Sequence, residues 1–165
     1  MDIYYDKNLK KNFIVVIDYK TLCSYDYATN KLYKKYYDKE LTIYGETVVI
    51  NDEKKPVKII ECDFNGYIRI FNFHTGDLLF QNRAGGSGLC YWNDNYIFAT
   101  ERYDRFALID ICSPRIKHYY SKHKNNVCKI IKLIHPKYEE SLITFDQYST
   151  KFWIIKKETP SRKKH

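Results

Sequence analysis

Histidine is the residue type in this chain best suited to acid–base chemistry, so its positions show whether a catalytic site is expected. General acid–base catalysis needs a titratable group that a second polar side chain orients within a pocket. The histidines are scattered, and none has such a partner in a recognisable motif; they are His74, His118, His123, His135 and His165. Isolated polar residues are common in turns. We therefore predict no catalytic residue and no enzymatic activity.

Cysteine could supply metal or redox chemistry. The five cysteines are odd in number, widely spaced and without a CxxC pair; they are Cys23, Cys62, Cys90, Cys112 and Cys128. Each lies in a largely apolar run, whereas zinc and redox sites use closely paired cysteines. The sequence predicts reduced, buried thiols and no metal site.

The run RAGGSG, residues 83–88, is the glycine-rich stretch that could cradle a phosphate group. A phosphate loop leads from a strand into a helix and ends in Lys-Ser or Lys-Thr. Here LCYW follows, which predicts a strand. We therefore interpret the run as a flexible connection and predict no cofactor.

Charge favours acidic partners but also serves solubility. The net charge is +8 and the pI about 9.1, and lysines discourage edge pairing on outer strands. The lysines of interest fall in two groups: Lys31, Lys34, Lys35 and Lys39, then Lys117, Lys122, Lys124, Lys129 and Lys132. Residues 157–165 are predicted to form a disordered basic tail. With the lysines, this tail suggests nucleic acid or anionic lipid as alternative ligands.

The N-terminal residues lack the basic start and apolar core of a secretory signal. No apolar run approaches the roughly 20 residues that span a bilayer. An intracellular, cytoplasmic, soluble protein is expected.

Short apolar segments rich in Ile, Val, Tyr and Phe, separated by Asn, Asp, Gly and Lys, predict strands rather than helices. One pattern recurs: a strand, a polar turn and a second strand that ends in a large apolar residue. Copies occupy residues 13–32, 58–79 and 95–116, with a looser copy at 141–155. The strand ends are Tyr25-Asp26, Phe71-Asn72, Ile109-Asp110 and Trp153.

The polar residues at these strand ends are about 46 and then about 38 residues apart, which brackets the period of a four-stranded propeller blade. Two further strands fit between copies. They are predicted at residues 78–81 and 88–92 after the second copy, and at residues 116–121 and 127–134 after the third. In HKNNVCKI, His123 precedes the last of these strands by four residues.

With these strand ends and the turns Asn65-Gly66 and Thr75-Gly76, residues 1–156 resemble the WD-repeat β-propeller family. The resemblance implies an all-β fold of about four antiparallel blades, the last without its outer strand. It also implies structural roles for Phe71, Asn72, Ile109, Asp110, His123 and Trp153. The family stabilises its blades with linked His, Ser or Thr, Asp and Trp side chains. Here Asn65, Asp104 and Asp146 only approximate the Asp position, so the set is expected to be incomplete in every repeat.

Propellers of this family typically have seven blades, so this chain supplies about half. The terminal blades would leave apolar faces uncovered. Three alternatives follow: the chain is part of a longer propeller, it completes a ring by self-association, or it closes alone with four blades.

By resemblance, the function is a non-enzymatic scaffold that binds other proteins or peptides through blade loops. The predicted partner-binding residues lie in loops at one end of the blades: Asn65, Tyr103, Asp104, Arg105, Lys124, Asn125, Gln147 and Tyr148.

Overall fold

The computed structural model describes residues 2–18, 21–37, 45–51, 55–63, 65–83, 86, 88–101, 104–113 and 115–155. These residues form fifteen strands and no helix. Tyr103 and the basic tail lie outside the described residues.

Each group of consecutive strands forms one antiparallel meander. Blade 1 contains β1 (Asp2–Asp6), β2 (Lys11–Asp18), β3 (Thr21–Asp26) and β4 (Leu32–Tyr37). Blade 2 contains β5 (Gly45–Ile50), β6 (Lys58–Asp63), β7 (Tyr67–Asn72) and β8 (Leu78–Arg83). Blade 3 contains β9 (Leu89–Asn93), β10 (Tyr96–Thr100), β11 (Arg105–Asp110) and β12 (Arg115–Ser121). Blade 4 contains β13 (Lys129–His135), β14 (Glu139–Phe145) and β15 (Thr150–Ile154).

The all-β fold predicted from the repeats is confirmed, and the described residues form three four-stranded sheets and one three-stranded sheet. The two pairs of strands predicted between copies correspond to β8 with β9 and β12 with β13, with ends that shift by one or two residues. The pairing register shifts between the third and outer strands of all three complete blades. Such irregularities increase the local twist of a sheet.

The core is divided into three layers, one between each pair of neighbouring blades. Phe13 and Val15 of blade 1 pack with Ile59 and Phe71 of blade 2. The next two layers have the same form. Blades 2 and 3 meet through Ile60, Ile70, Ile97 and Ile109. Blades 3 and 4 meet through Phe98, Phe106, Ile130 and Leu142, with Trp153 packed against them.

This division explains the stability of thin sheets, because each buries apolar side chains against the sheet beside it. The innermost strands, which come first in each blade, contact one another across the array from β1 to β13. None of the three core layers formed by the described residues joins blade 4 to blade 1.

The expectation that all five cysteines are buried is wrong for two of them. Cys23, Cys62 and Cys90 are buried, and burial raises the pKa of the Cys90 thiol to about 11. Cys112 and Cys128 are exposed. The physical reason is their position, since Cys112 lies in the turn after β11 and Cys128 in the connection before β13.

Candidate partner-binding face

The starts of three innermost strands meet at one end of the array. The Glu46 carboxylate, at the start of β5, accepts a hydrogen bond at 2.8 Å from the Leu89 backbone N–H at the start of β9. It also pairs with the Lys129 ammonium at the start of β13. Because successive strands are antiparallel, this end also carries the turns between second and third strands and the connections between blades. We call this end the top face.

The structure places the described members of the predicted set on the top face. Asn65 lies in the β6–β7 turn, and Asp104 and Arg105 lie at the β10–β11 turn. Lys124 and Asn125 lie in the β12–β13 connection, and Gln147 and Tyr148 lie in the β14–β15 turn. Tyr103 is outside the described residues.

Hydrogen bonds join the loops of blades 3 and 4 into one surface. The Ser121 hydroxyl, at the end of β12, donates to Asp104 Oδ2 at 2.8 Å. Two residues further along the chain, the ring of buried His123 bonds to Asp146 in the β14–β15 turn. The connection that carries Lys124 is therefore held against both neighbouring turns.

Buried and half-buried side chains of blade 4 form a continuous hydrogen-bond network. Trp153 Nε1–H donates to Thr144 Oγ1 at 2.7 Å. The Thr144 hydroxyl lies 2.6 Å from His123 Nε2, and His123 Nδ1 lies 2.7 Å from Asp146 Oδ2. The Ser149 hydroxyl donates to the same carboxylate oxygen at 2.8 Å.

The groups at the two ends fix the direction of their own hydrogen bonds. An indole N–H can only donate, so Thr144 Oγ1 accepts from Trp153. A carboxylate oxygen can only accept, so His123 Nδ1 carries a proton and donates it to Asp146 Oδ2. Each of the buried side chains His123, Thr144 and Asp146 thus has hydrogen-bond partners, as buried polar groups require.

Asp146 also shapes the top-face turn. Its Oδ1 accepts the backbone N–H groups of Tyr148 at 2.8 Å and Ser149 at 2.6 Å. Burial raises the pKa of the Asp146 carboxyl, but the hydrogen bonds from His123, Ser149 and the two backbone groups outweigh it and hold the pKa well below its usual range. The carboxylate therefore fixes the backbone that presents Tyr148.

The network corrects one expectation from the sequence. We expected the linked His, Ser or Thr, Asp and Trp set to be incomplete in every repeat; in blade 4 this was wrong. Thr144 supplies the hydroxyl and Asp146 the carboxylate. The strand registers place Asp63 and Glu101 at the equivalent positions of blades 2 and 3, rather than Asn65 and Asp104.

Blade 2 replaces the network with a buried ionic cluster. Arg69 Nη1 lies 2.8 Å from Asp63 Oδ2 and 3.2 Å from Glu61 Oε2. Burial lowers the pKa of Arg69, but the Asp63 hydrogen bond and the charge of Glu61 outweigh this and raise it. In blade 3, Glu101 pairs with Arg105. Carboxylates at the ends of second strands thus recur, whereas their partners differ.

The other residues given structural roles lie at the opposite, bottom end. Asn72 Oδ1 accepts the backbone N–H groups of His74 and Thr75, at 2.9 and 3.0 Å. Asp110 Oδ1 does the same for Cys112 and Ser113. Phe71 and Ile109, one residue earlier in each strand, are buried between blades. The pair of an apolar residue and a polar residue thus places a core side chain next to a turn cap.

Sequence reasoning missed two top-face residues, Tyr119 and Glu46, which pair with Arg105 and Lys129. The guanidinium carbon of Arg105 lies 4.8 Å from the ring centroid of exposed Tyr119 on β12. Glu46 and Lys129 are 83 residues apart in sequence. No local motif could have found either pair, because sheet pairing and blade packing bring them together.

The glycine-rich run joins β8 to β9, so it does not lead into a helix. Its described glycines lie close to buried Thr100. Gly88 N–H donates to Thr100 Oγ1 at 2.9 Å, and a Cβ on Gly86 would come within 2.5 Å of the same oxygen. These glycines allow close packing of two backbones, which the sequence interpretation as a flexible connection did not anticipate.

Among the described residues, no group of three or more His, Cys, Asp and Glu side chains could hold a metal ion. The described part of the chain also contains no helix that is long and apolar enough to cross a membrane.

No protein-family model matches the chain. No curated protein matches it either. Solved structures do. The computationally designed Ika4 protein is 14% identical, with a TM-score of 0.64, over 93% of this chain and 89% of that chain. The WD40 β-propeller domain of Doa1 is 15% identical, with a TM-score of 0.64, over 87% of this chain and 46% of that chain.

BBS1N, solved in complex with ARL6DN, is 10% identical, with a TM-score of 0.70, over 93% of this chain and 50% of that chain. This chain therefore spans about half the length of the Doa1 domain and of BBS1N. At these identities the likeness concerns the fold alone. The fold is therefore that of β-propeller blades, similar to those of the WD40 domain of Doa1.

Proposed function

We propose that this chain is a non-enzymatic interaction module that binds another protein or a peptide through the top-face loops of blades 3 and 4. One observation carries the proposal. Arg105, Lys124 and Tyr148 come from three separate loops, yet the hydrogen bonds of Ser121, His123 and Asp146 hold those loops side by side. A surface assembled in this way on a rigid base suits recognition, because little ordering is needed on binding.

The side chains of this surface suggest the chemistry of the partner. Tyr148 is 76% exposed, and its backbone is fixed by Asp146. Lys124 and Arg105, which also pairs with Glu101, carry positive charge on the neighbouring loops. Tyrosine and arginine are enriched among the residues that contribute most to binding energy. The expected partner therefore offers an apolar contact for the tyrosine ring, flanked by acidic groups.

Two further points support a scaffold. Propellers of the WD40 type are typically scaffolds, and BBS1N was solved in complex with another protein. The polar groups described above are used in turn capping, blade packing and ion pairing. These polar groups hold the loops of the surface in place, which is a structural role and not a catalytic one.

The test is a comparison of two triple variants in affinity enrichment from the native cell, read by quantitative mass spectrometry. The top-face variant combines Arg105→Ala, Lys124→Ala and Tyr148→Ala. The matched bottom-face variant combines Arg115→Ala, Lys31→Ala and Tyr27→Ala, which are exposed residues of the same three types. Thermal unfolding of both variants checks that the fold is retained.

We expect the top-face variant to lose partners that the wild-type chain and the bottom-face variant both recover. Equal recovery by the two variants would contradict the proposal. Loss of the same partners from the bottom-face variant alone would place the binding surface at the other end.

A further inference from the structure

The end face of blade 4 that points away from blade 3 carries a row of apolar side chains. Strand pairing aligns Ile131 with Ile143 and Ile143 with Phe152 across the three strands. Ile131 is exposed, and Phe152 is 44% exposed. Ile154, two residues further along the same strand, is also exposed. We call this surface the blade 4 end face.

The opposite end of the array has a comparable row. In blade 1, strand pairing aligns Ile3, Ile14, Tyr25 and Leu32 across the four strands. Ile3 is 63% exposed, and Leu32 is also exposed. We call this surface the blade 1 end face. A strip of apolar side chains across a whole sheet is the usual mark of an interaction surface.

Both rows have buried equivalents within the chain. The equivalent of the blade 1 row in blade 2 contains Val49, Ile59 and Phe71, which are aligned by the same strand pairing. Phe71 is only 2% exposed, because this row packs against blade 1.

The blade 4 row has its equivalent in blade 3, where Cys90, Phe98 and Leu108 are aligned. Phe98 is fully buried, because this row packs against blade 4. Each end face is thus one half of an interface type that the chain already builds three times. The blade 4 end face is equivalent to the surface on which a following blade packs. The blade 1 end face is equivalent to the surface on which a preceding blade packs.

We propose that a second copy of this chain covers both end faces. Blade 4 of each copy packs on blade 1 of the other, so that two copies close one ring of eight blades. The surface concerned is separate from the top-face loops, so this proposal stands independently of the proposed function.

Two arguments favour a second copy as the occupant. First, one copy carries both kinds of end face, and a two-fold axis makes the two new contacts identical and leaves neither face uncovered. The contact continues the interface already present between blades. Second, the same array of blades matches only about half of the Doa1 domain and of BBS1N. A second copy would supply as much chain as the unmatched half.

The experiment measures the mass of the full chain in solution by size-exclusion chromatography with light scattering. A single copy has a mass of 19.9 kDa. Phe152→Lys and Ile3→Lys place a charge on the blade 4 and blade 1 end faces, and Ile154→Lys is a second variant on the blade 4 end face. Leu79→Lys changes an exposed apolar residue of an outer strand and serves as the control. Because all four residues are exposed, each variant is expected to keep a cooperative thermal transition.

We expect a wild-type mass twice that of one copy, with the same mass for Leu79→Lys and half of it for each of the three end-face variants. A wild-type monomer would overturn the proposal, whether the chain closes alone or belongs to a longer assembly. A dimer that survives all three end-face substitutions would overturn it too, as would an open series of larger oligomers.

Discussion

His123 Nδ1 lies 2.7 Å from Asp146 Oδ2, and this contact joins the segment entering β13 to the turn that follows β14. Both side chains are buried, and both belong to a chain of hydrogen bonds that ends at the Trp153 indole. The contact connects the core of blade 4 with the backbone of the top face. Changes in this network should therefore affect stability and the shape of the binding loops together.

Thr144→Val removes the hydroxyl at the centre of the network while nearly keeping the shape of the side chain. It removes the hydrogen-bond partner of the half-buried Trp153 indole N–H and of buried His123 Nε2. We expect a loss of about 1–3 kcal/mol in the free energy of unfolding, measured by urea denaturation. The control is Thr150→Val, at an exposed position on β15. Equal losses for the two variants would show that the network does not stabilise the blade.

The Asp146 carboxylate predicts a specific pH dependence. Its pKa is lowered in the folded chain, so its contribution to stability is present above the unfolded pKa of about 3.9 and is lost as the pH falls through the folded pKa. The stability difference between wild type and Asp146→Asn should be large at neutral pH and shrink below about pH 4. Urea denaturation across this range measures it.

The control for that experiment is Asp94→Asn, which removes one negative charge from an exposed turn. A difference between wild type and Asp146→Asn that stayed constant from neutral to acidic pH would contradict the role assigned to this carboxylate.

Arg69→Met tests the ionic cluster that takes the place of the network in blade 2. The substitution removes the Arg69 cation that lies against the buried carboxylates of Glu61 and Asp63, and we expect a loss of about 3 kcal/mol in the free energy of unfolding. Arg83→Met is the matched control, because Arg83 is exposed and approaches the same Tyr67 ring. The control should lose less than about 0.5 kcal/mol. Similar small losses for both would mean that the cluster is not a structural element.

Gly76→Ala tests the turn between β7 and β8. Gly76 has a φ of 83°, in the left-handed region, and its N–H donates to the Asn72 carbonyl at 3.0 Å. A side chain there costs about 1–2 kcal/mol, which thermal or urea unfolding would detect. Gly76→Asn should cost less, because asparagine tolerates this conformation better. Identical effects of alanine and asparagine would argue against a backbone origin.

The sequence predicted the fold well, because each blade repeats a local pattern. The pairs Phe71-Asn72 and Ile109-Asp110 place a buried apolar residue beside a turn cap, and both parts of that pattern are local. His123 and Trp153 could be found in the same way. Thr144 could not, because a threonine within a strand resembles any other strand residue until pairing places it between histidine and indole.

The surface was less predictable than the core. Glu46 and Lys129 lie far apart in sequence and meet only because blades 2, 3 and 4 pack around one centre. The same limit applies to Arg105 and Tyr119, which strand pairing brings together. The Cys112 and Cys128 side chains are exposed because of where the adjacent strands begin and end. Strand boundaries are the feature that a prediction from sequence places least accurately.

A crystal structure of the chain tests the central claim most directly, namely that four small antiparallel sheets stack side by side and present their loops at one end. We predict that Trp153, Thr144, His123 and Asp146 form one hydrogen-bonded line at the fourth sheet, and that the starts of β5, β9 and β13 gather around Glu46. A layer of helices, or one continuous sheet through all the strands, would contradict it.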